Sequence, residues 1–100
     1  PAALLRLGEL ALRQQDWFEA DSVAGRALEE EVVTPTEEGL LRLLRAIALV
    51  MSEDREAAAE EFDKARETDV ALSEAIGKVD LDAPEKLHEL LRTRLLSPQP

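Results

Sequence analysis

One hundred residues, with 45% in the hydrophobic set, 34% charged and only 3% aromatic, make one small domain built mainly from aliphatic side chains. Twenty-two carboxylates against twelve Lys and Arg give a net charge of −10, a field that repels phosphate backbones and anionic lipid and so argues against nucleic acid as a partner. The longest apolar run, Ala46 to Met51, falls far short of the roughly 20 residues that span a membrane, and the absence of cysteine excludes disulfides, thiolate metal sites and cysteine catalysis.

A chain this short buries only roughly 60–65% of the surface it exposes when unfolded, so every apolar helix face must be used. The acidic excess is spread along it, −4 over residues 1–50 and −6 over 51–100, which reads as solubility or as attraction to a basic partner surface. The ends, Pro1-Ala2-Ala3 and Ser97-Pro98-Gln99-Pro100, read as those of an excised segment, with the compartment left open.

Leu4, Leu5, Leu7, Ala11 and Leu12, with Arg6, Glu9 and Arg13 between them, predict an amphipathic helix over about 2–14. Asp16 with Glu19 three residues on predicts a capping box that opens a second helix to about Glu31, its stripe formed by Phe18, Ala20, Val23, Ala24, Ala27 and Leu28. Val32-Val33 breaks the pattern, and Thr34-Pro35-Thr36-Glu37 starts a third helix with proline at its first position. From Leu40 to Met51 only Arg42 and Arg45 interrupt the apolar run, so this helix must be covered on several sides. After a turn at 52–54, Ala57, Ala58, Phe62 and Ala65 mark a fourth helix to about Thr68, with Glu61 beside that stripe. Residues 70–76 predict one or two helical turns closed by Gly77 in a left-handed cap, and 78–81 a connector. Asp82-Ala83-Pro84-Glu85 predicts a third capping box before a helix to about Leu96, with Leu87, Leu90, Leu91 and Leu95 on one stripe.

The chain repeats itself. Asp16 to Ala20 aligns with Asp54 to Ala58, and Ala20, Ala24 and Ala27 with Ala58, Phe62 and Ala65, at a spacing of 38 residues. Leu4-x2-Leu7-Gly8-x2-Ala11, Ala20-x3-Ala24-x2-Ala27 and Ala58-x3-Phe62-x2-Ala65 resemble the tetratricopeptide repeat pattern W-x2-L-G-x2-Y, A-x3-F, A, P. The spacing exceeds the family's usual 34, and Val32 and Val70 stand where the terminal proline would be. Aligning Leu40, Leu43, Leu44 and Ile47 with Leu4, Leu7, Gly8 and Ala11 gives an offset of 36, which makes the turn inside the second unit two residues longer.

The resemblance implies an all-α domain over 1–100: a right-handed stack of two antiparallel hairpins (2–31 and 35–68), a short turn and connector (69–82) and a capping helix (83–96). An acidic segment followed by a Pro-led terminal helix is similar to the ending of bacterial proteins of this kind. The family's role implies a non-catalytic adaptor or scaffold that binds a protein or peptide in the groove of its first helices, with no cofactor and no metal. Under the offset of 36 the groove residues are Leu5, Glu9 and Leu12 of unit one and Leu41, Arg45 and Ala48 of unit two. Arg45 could hold a partner carboxylate bidentately, or Arg42 and Arg45 could pair locally with Glu37, Glu38 or Glu53. The alternative is a structural or oligomerisation segment of a longer stack, meeting another copy or the rest of its parent chain.

Other features favour plain readings. Trp17 is a cover for the hairpin end or a partner-binding anchor. His88 with Glu85 at i, i+3 is half of a carboxylate–histidine metal pair with no second half in the sequence, and reads as a surface residue. Gly77-Lys78 lacks the rest of a phosphate loop. No serine stands in a nucleophile context, and the carboxylate pairs follow from composition, so no catalytic residue is assigned.

Overall fold

The structure, a computed structural model, describes residues 2–30 and 34–96. Those residues form six helices and no strand: α1 (Ala2–Arg13), α2 (Trp17–Glu30), α3 (Pro35–Met51), α4 (Arg55–Thr68), α5 (Val70–Ile76) and α6 (Pro84–Leu96). The domain is all-α, as the hydrophobic periodicity requires. Val32-Val33, the end expected at Glu31, and the terminal segments Pro1 and 97–100 lie outside the described residues.

Local chemistry accounts for most boundaries. Thr34 Oγ1 accepts the Glu37 N–H at 3.1 Å and Glu37 Oε1 accepts the Thr34 N–H at 3.2 Å, a complete capping box in front of Pro35. Asp16 and Asp54 cap α2 and α4 by accepting the N–H groups of Glu19 and Ala57, but the box expected at Asp16 is only half formed, because the Asp16 N–H donates to Ala11 O and not to Glu19. Gly77 ends α5 at φ +57°, where a side chain is strained. The capping box expected at Asp82 does not form. α6 begins at Pro84, one residue out of register for it, and the Asp82 carboxylate instead takes the Arg55 guanidinium at 2.6 Å.

The two hairpin turns are copies of one another. In the first, the Gln15 N–H donates to Leu12 O and the Asp16 N–H to Ala11 O; in the second, Glu53 donates to Val50 O and Asp54 to Leu49 O. This paired pattern is the Schellman closure of a helix C-terminus. It places Gln15 at φ +59° and Glu53 at φ +69°, positions that favour glycine. Glu53→Gly is therefore expected to raise stability by about 0.5–1 kcal/mol; chemical denaturation followed by circular dichroism measures it, and a loss would show that the turn holds Glu53 for another reason. Because both turns have the same length, the offset of 38 runs through them into α1 and α3. The inserted pair of residues inferred from the offset of 36 is absent.

α3 is the centre of the molecule: α1, α2, α4, α5 and α6 all pack against it. Leu41, Leu43, Leu44, Ala46 and Ala48 have no exposed surface, which explains why its sequence is apolar nearly all round. α1 comes close enough that a Cβ at Gly8 would lie 2.8 Å from Leu44 Cδ1. Ala20, Val23, Ala24 and Ala27 of α2 and Ala58 and Ala65 of α4 are fully buried, so small side chains set the close helix approach. Phe18 does not join them. It is 81% exposed, since it stands on the face of α2 turned away from that alanine stripe. In the connector, Leu81 is buried; a lone leucine between charged residues gives no periodic signal of this.

Candidate functional site

A two-residue error in alignment rotates a helical position by about 200°, onto the opposite face. At the observed offset of 38, the counterparts of Leu5, Glu9 and Leu12 are Leu43, Ile47 and Val50, and not Leu41, Arg45 and Ala48. The six residues expected to line one groove accordingly divide between two sides of α3.

Arg45 lies on the α2/α4 side. Its Nε donates to Asp21 Oδ1 at 2.8 Å and its Nη1 to Glu61 Oε1 at 3.3 Å. Leu41 and Ala48 share its helical row and are wholly buried, so neither offers a contact to a partner, and the guanidinium of Arg45 is held by carboxylates of this chain. The network continues through Arg42, which reaches Glu61 at 2.8 Å and Glu38 at 3.0 Å. Burial opposes the charge on Arg42, but the hydrogen bonds it donates to Glu38 and Glu61, with the attraction of those two carboxylates, outweigh it and raise the guanidinium pKa above its ordinary value. The local Arg42–Glu38 pair is as expected from i, i+4 spacing. The tie to Glu61 joins α3 to α4, and its only trace in the sequence is a carboxylate next to the apolar stripe of its helix.

Leu5, Glu9 and Leu12 are buried too, on the other side. There α6 packs against α1 and α3, with Leu87 and Leu91 fully covered and Leu90 and Leu95 half-buried. Glu9, 6% exposed, is the polar centre of that contact. Its Oε2 lies 2.8 Å from His88 Nε2, its Oε1 accepts from Arg13 Nε at 3.0 Å, and Arg92 Nε stands 3.9 Å away. His88 is thus half-buried and engaged with α1; the surface position beside Glu85 is not its place. Among the described residues no group of three or more His, Asp and Glu side chains is arranged to hold a metal ion, and no helix is long and apolar enough to cross a membrane.

Where the two hairpin turns meet the first turns of α6, the same face opens into a cavity of about 290 Å³. Leu12 and Ile47, each 2% exposed, form its apolar base. Trp17, Met51 and Pro84 line its walls, and Arg13, Gln15, Glu85 and His88 are its polar members. Trp17 packs against the core with part of its surface free, and Met51 is 40% exposed. A half-exposed indole and a thioether over an aliphatic base can receive an apolar side chain and adjust to its shape. Of the six expected groove residues, Leu12 alone contributes to this opening.

Comparison with known proteins adds no family assignment: no family model matches the chain, and neither a curated protein nor a solved structure matches it.

Proposed function

We propose that this domain is a non-catalytic polypeptide-binding module of two tetratricopeptide-like hairpins, whose groove is filled along most of its length by its own α6 and receives a partner side chain at the turn end. The observation that carries the reading is the cavity at Trp17, the part of that face which α6 leaves open. The neighbour pattern supports it: α1 on α2, α2 on α3, α3 on α4, and α1 on α3 are the contacts that two stacked hairpins need. Selection of displayed random peptides on the immobilised domain tests the proposal. Enriched peptides should shift the amide resonances of residues 12–17, 47–51 and 85–88; failure to enrich any peptide would contradict it.

One observation favours a second reading, a segment of a longer stack. Leu7 and Leu10 are 46% and 39% exposed on the outward side of α1, where another hairpin could pack. In that case the enriched peptides would shift the resonances of Leu7 and Leu10, and light scattering over a concentration series would show self-association.

A further inference from the structure

We infer that the Trp17 cavity takes a basic peptide with one bulky apolar anchor, the anchor entering between Trp17 and Met51 while flanking lysines or arginines meet the carboxylates around the mouth. This rests on the reading of the cavity as the binding site and adds the chemistry of its partner.

The size and lining select the anchor. About 290 Å³ over Leu12 and Ile47 accommodates a single Phe, Leu or Met side chain and is too small for a folded surface. The charge selects the flanks. Every segment that lines the cavity also carries acid with no ion pair to another described residue: Asp16 follows Gln15 in the first turn, Glu53 and Asp54 follow Met51 in the second, and Glu85 stands in the first turn of α6.

Arg13 and His88, which line the cavity, and Arg55, which follows its second turn, are already engaged, while Lys86, next to Glu85, lines a separate opening with Lys78 and Asp80. Arg13 and His88 both bind Glu9, and Arg55 is matched by Asp82 at 2.6 Å. Glu85, a lining residue, forms no ion pair with another described residue. A cation arriving beside the anchor therefore meets uncompensated carboxylate, and an indole face that adds attraction of its own. An acidic peptide would meet that field with the opposite sign, on top of a chain charge of −10.

Trp17 is the chain's single tryptophan, so its emission reports on the cavity without a label. The probes are three capped pentapeptides, Lys-Lys-Phe-Lys-Lys, Glu-Glu-Phe-Glu-Glu and Lys-Lys-Gly-Lys-Lys, titrated into the intact domain. The first should shift Trp17 emission saturably. Its affinity should exceed that of each of the others by about ten-fold or more, and should fall several-fold between about 50 mM and about 500 mM salt. Glu85→Lys should weaken the first peptide and leave the fold intact, as shown by unchanged circular dichroism. If the acidic peptide binds as tightly as the basic one, the partner chemistry is wrong while the cavity remains a binding site. If the glycine peptide equals the phenylalanine peptide, there is no anchor and the inference fails. If none of the three moves Trp17 emission, both the inference and the reading beneath it fall.

Discussion

Leu91→Ala is expected to destabilise the domain by about 3 kcal/mol, enough to lower the midpoint of thermal unfolding by about 10–20 °C. Leu91 has no exposed surface although its helix lies at the outside of the molecule, so α6 must press it fully against α1 and α3. Removing three carbons there leaves a void that helix α3 cannot collapse into, because α3 is held on its other sides by α2, α4 and α5. The loss should appear as one cooperative transition, with circular dichroism and Trp17 emission changing together, since α6 shares its core with the central helix. A cost below about 0.5 kcal/mol, the size expected of a surface change, would mean that α6 is only loosely seated and that the groove beneath it is open to partners.

Arg45→Glu carries the second large effect, and separates two roles for this residue. As a groove residue on the partner side, its reversal would weaken binding and leave stability untouched. In the observed network, a carboxylate at 45 faces Asp21 and the nearly buried Glu61, both of which lose a cation and gain a repelling neighbour. We expect a loss of about 2–4 kcal/mol, with peptide binding at the Trp17 cavity unchanged below the melting range. The cavity-lining residues Ile47 and Met51 are on the other side of α3 from Arg45. Adding Asp21→Arg should restore part of the loss by returning one attractive pair, and the double-mutant cycle measures that coupling. Equal stability of Arg45→Glu and the parent chain would show that the network is solvated and does not tie α2, α3 and α4 together.

Several features of this fold were legible residue by residue. Helix positions follow from the 3.6-residue recurrence of Leu and Ala, and two of the starts follow from Asp16 and Thr34 because capping is a contact between residues three apart. Local rules fail where a choice between distant partners is made. Asp82 has the spacing for a cap, yet it pairs with Arg55, which comes near only once the chain has folded. Phe18 has the character of a core residue, yet its position on α2 faces outward. Glu9 and Arg45 both sit on amphipathic helices, and nothing within either helix says which neighbour will cover them.

The candidate site was the least legible part, for one geometric reason. Pairing Leu4-x2-Leu7 with leucines of α3 selects the offset of 36, onto Leu40 and Leu43, because the offset of 38 sets the same two residues against Arg42 and Arg45. The turns decide between them: Gln15 and Glu53 occupy equivalent left-handed positions 38 residues apart. That α6 packs over α1 and α3 is a tertiary choice of the same kind, and it covers Glu9 while an opening remains beside Trp17.

The most direct measurement is therefore the set of nuclear Overhauser contacts made by the His88 ring. The account predicts cross-peaks from that ring to the Glu9 side chain on α1 and to the Ile47 methyl groups on α3, given the 2.8 Å His88–Glu9 contact and the cavity wall that His88 and Ile47 share. Cross-peaks confined to α6 itself would contradict it, because α6 would then be off the groove and Glu9 and Leu12 would be open to solvent and partners.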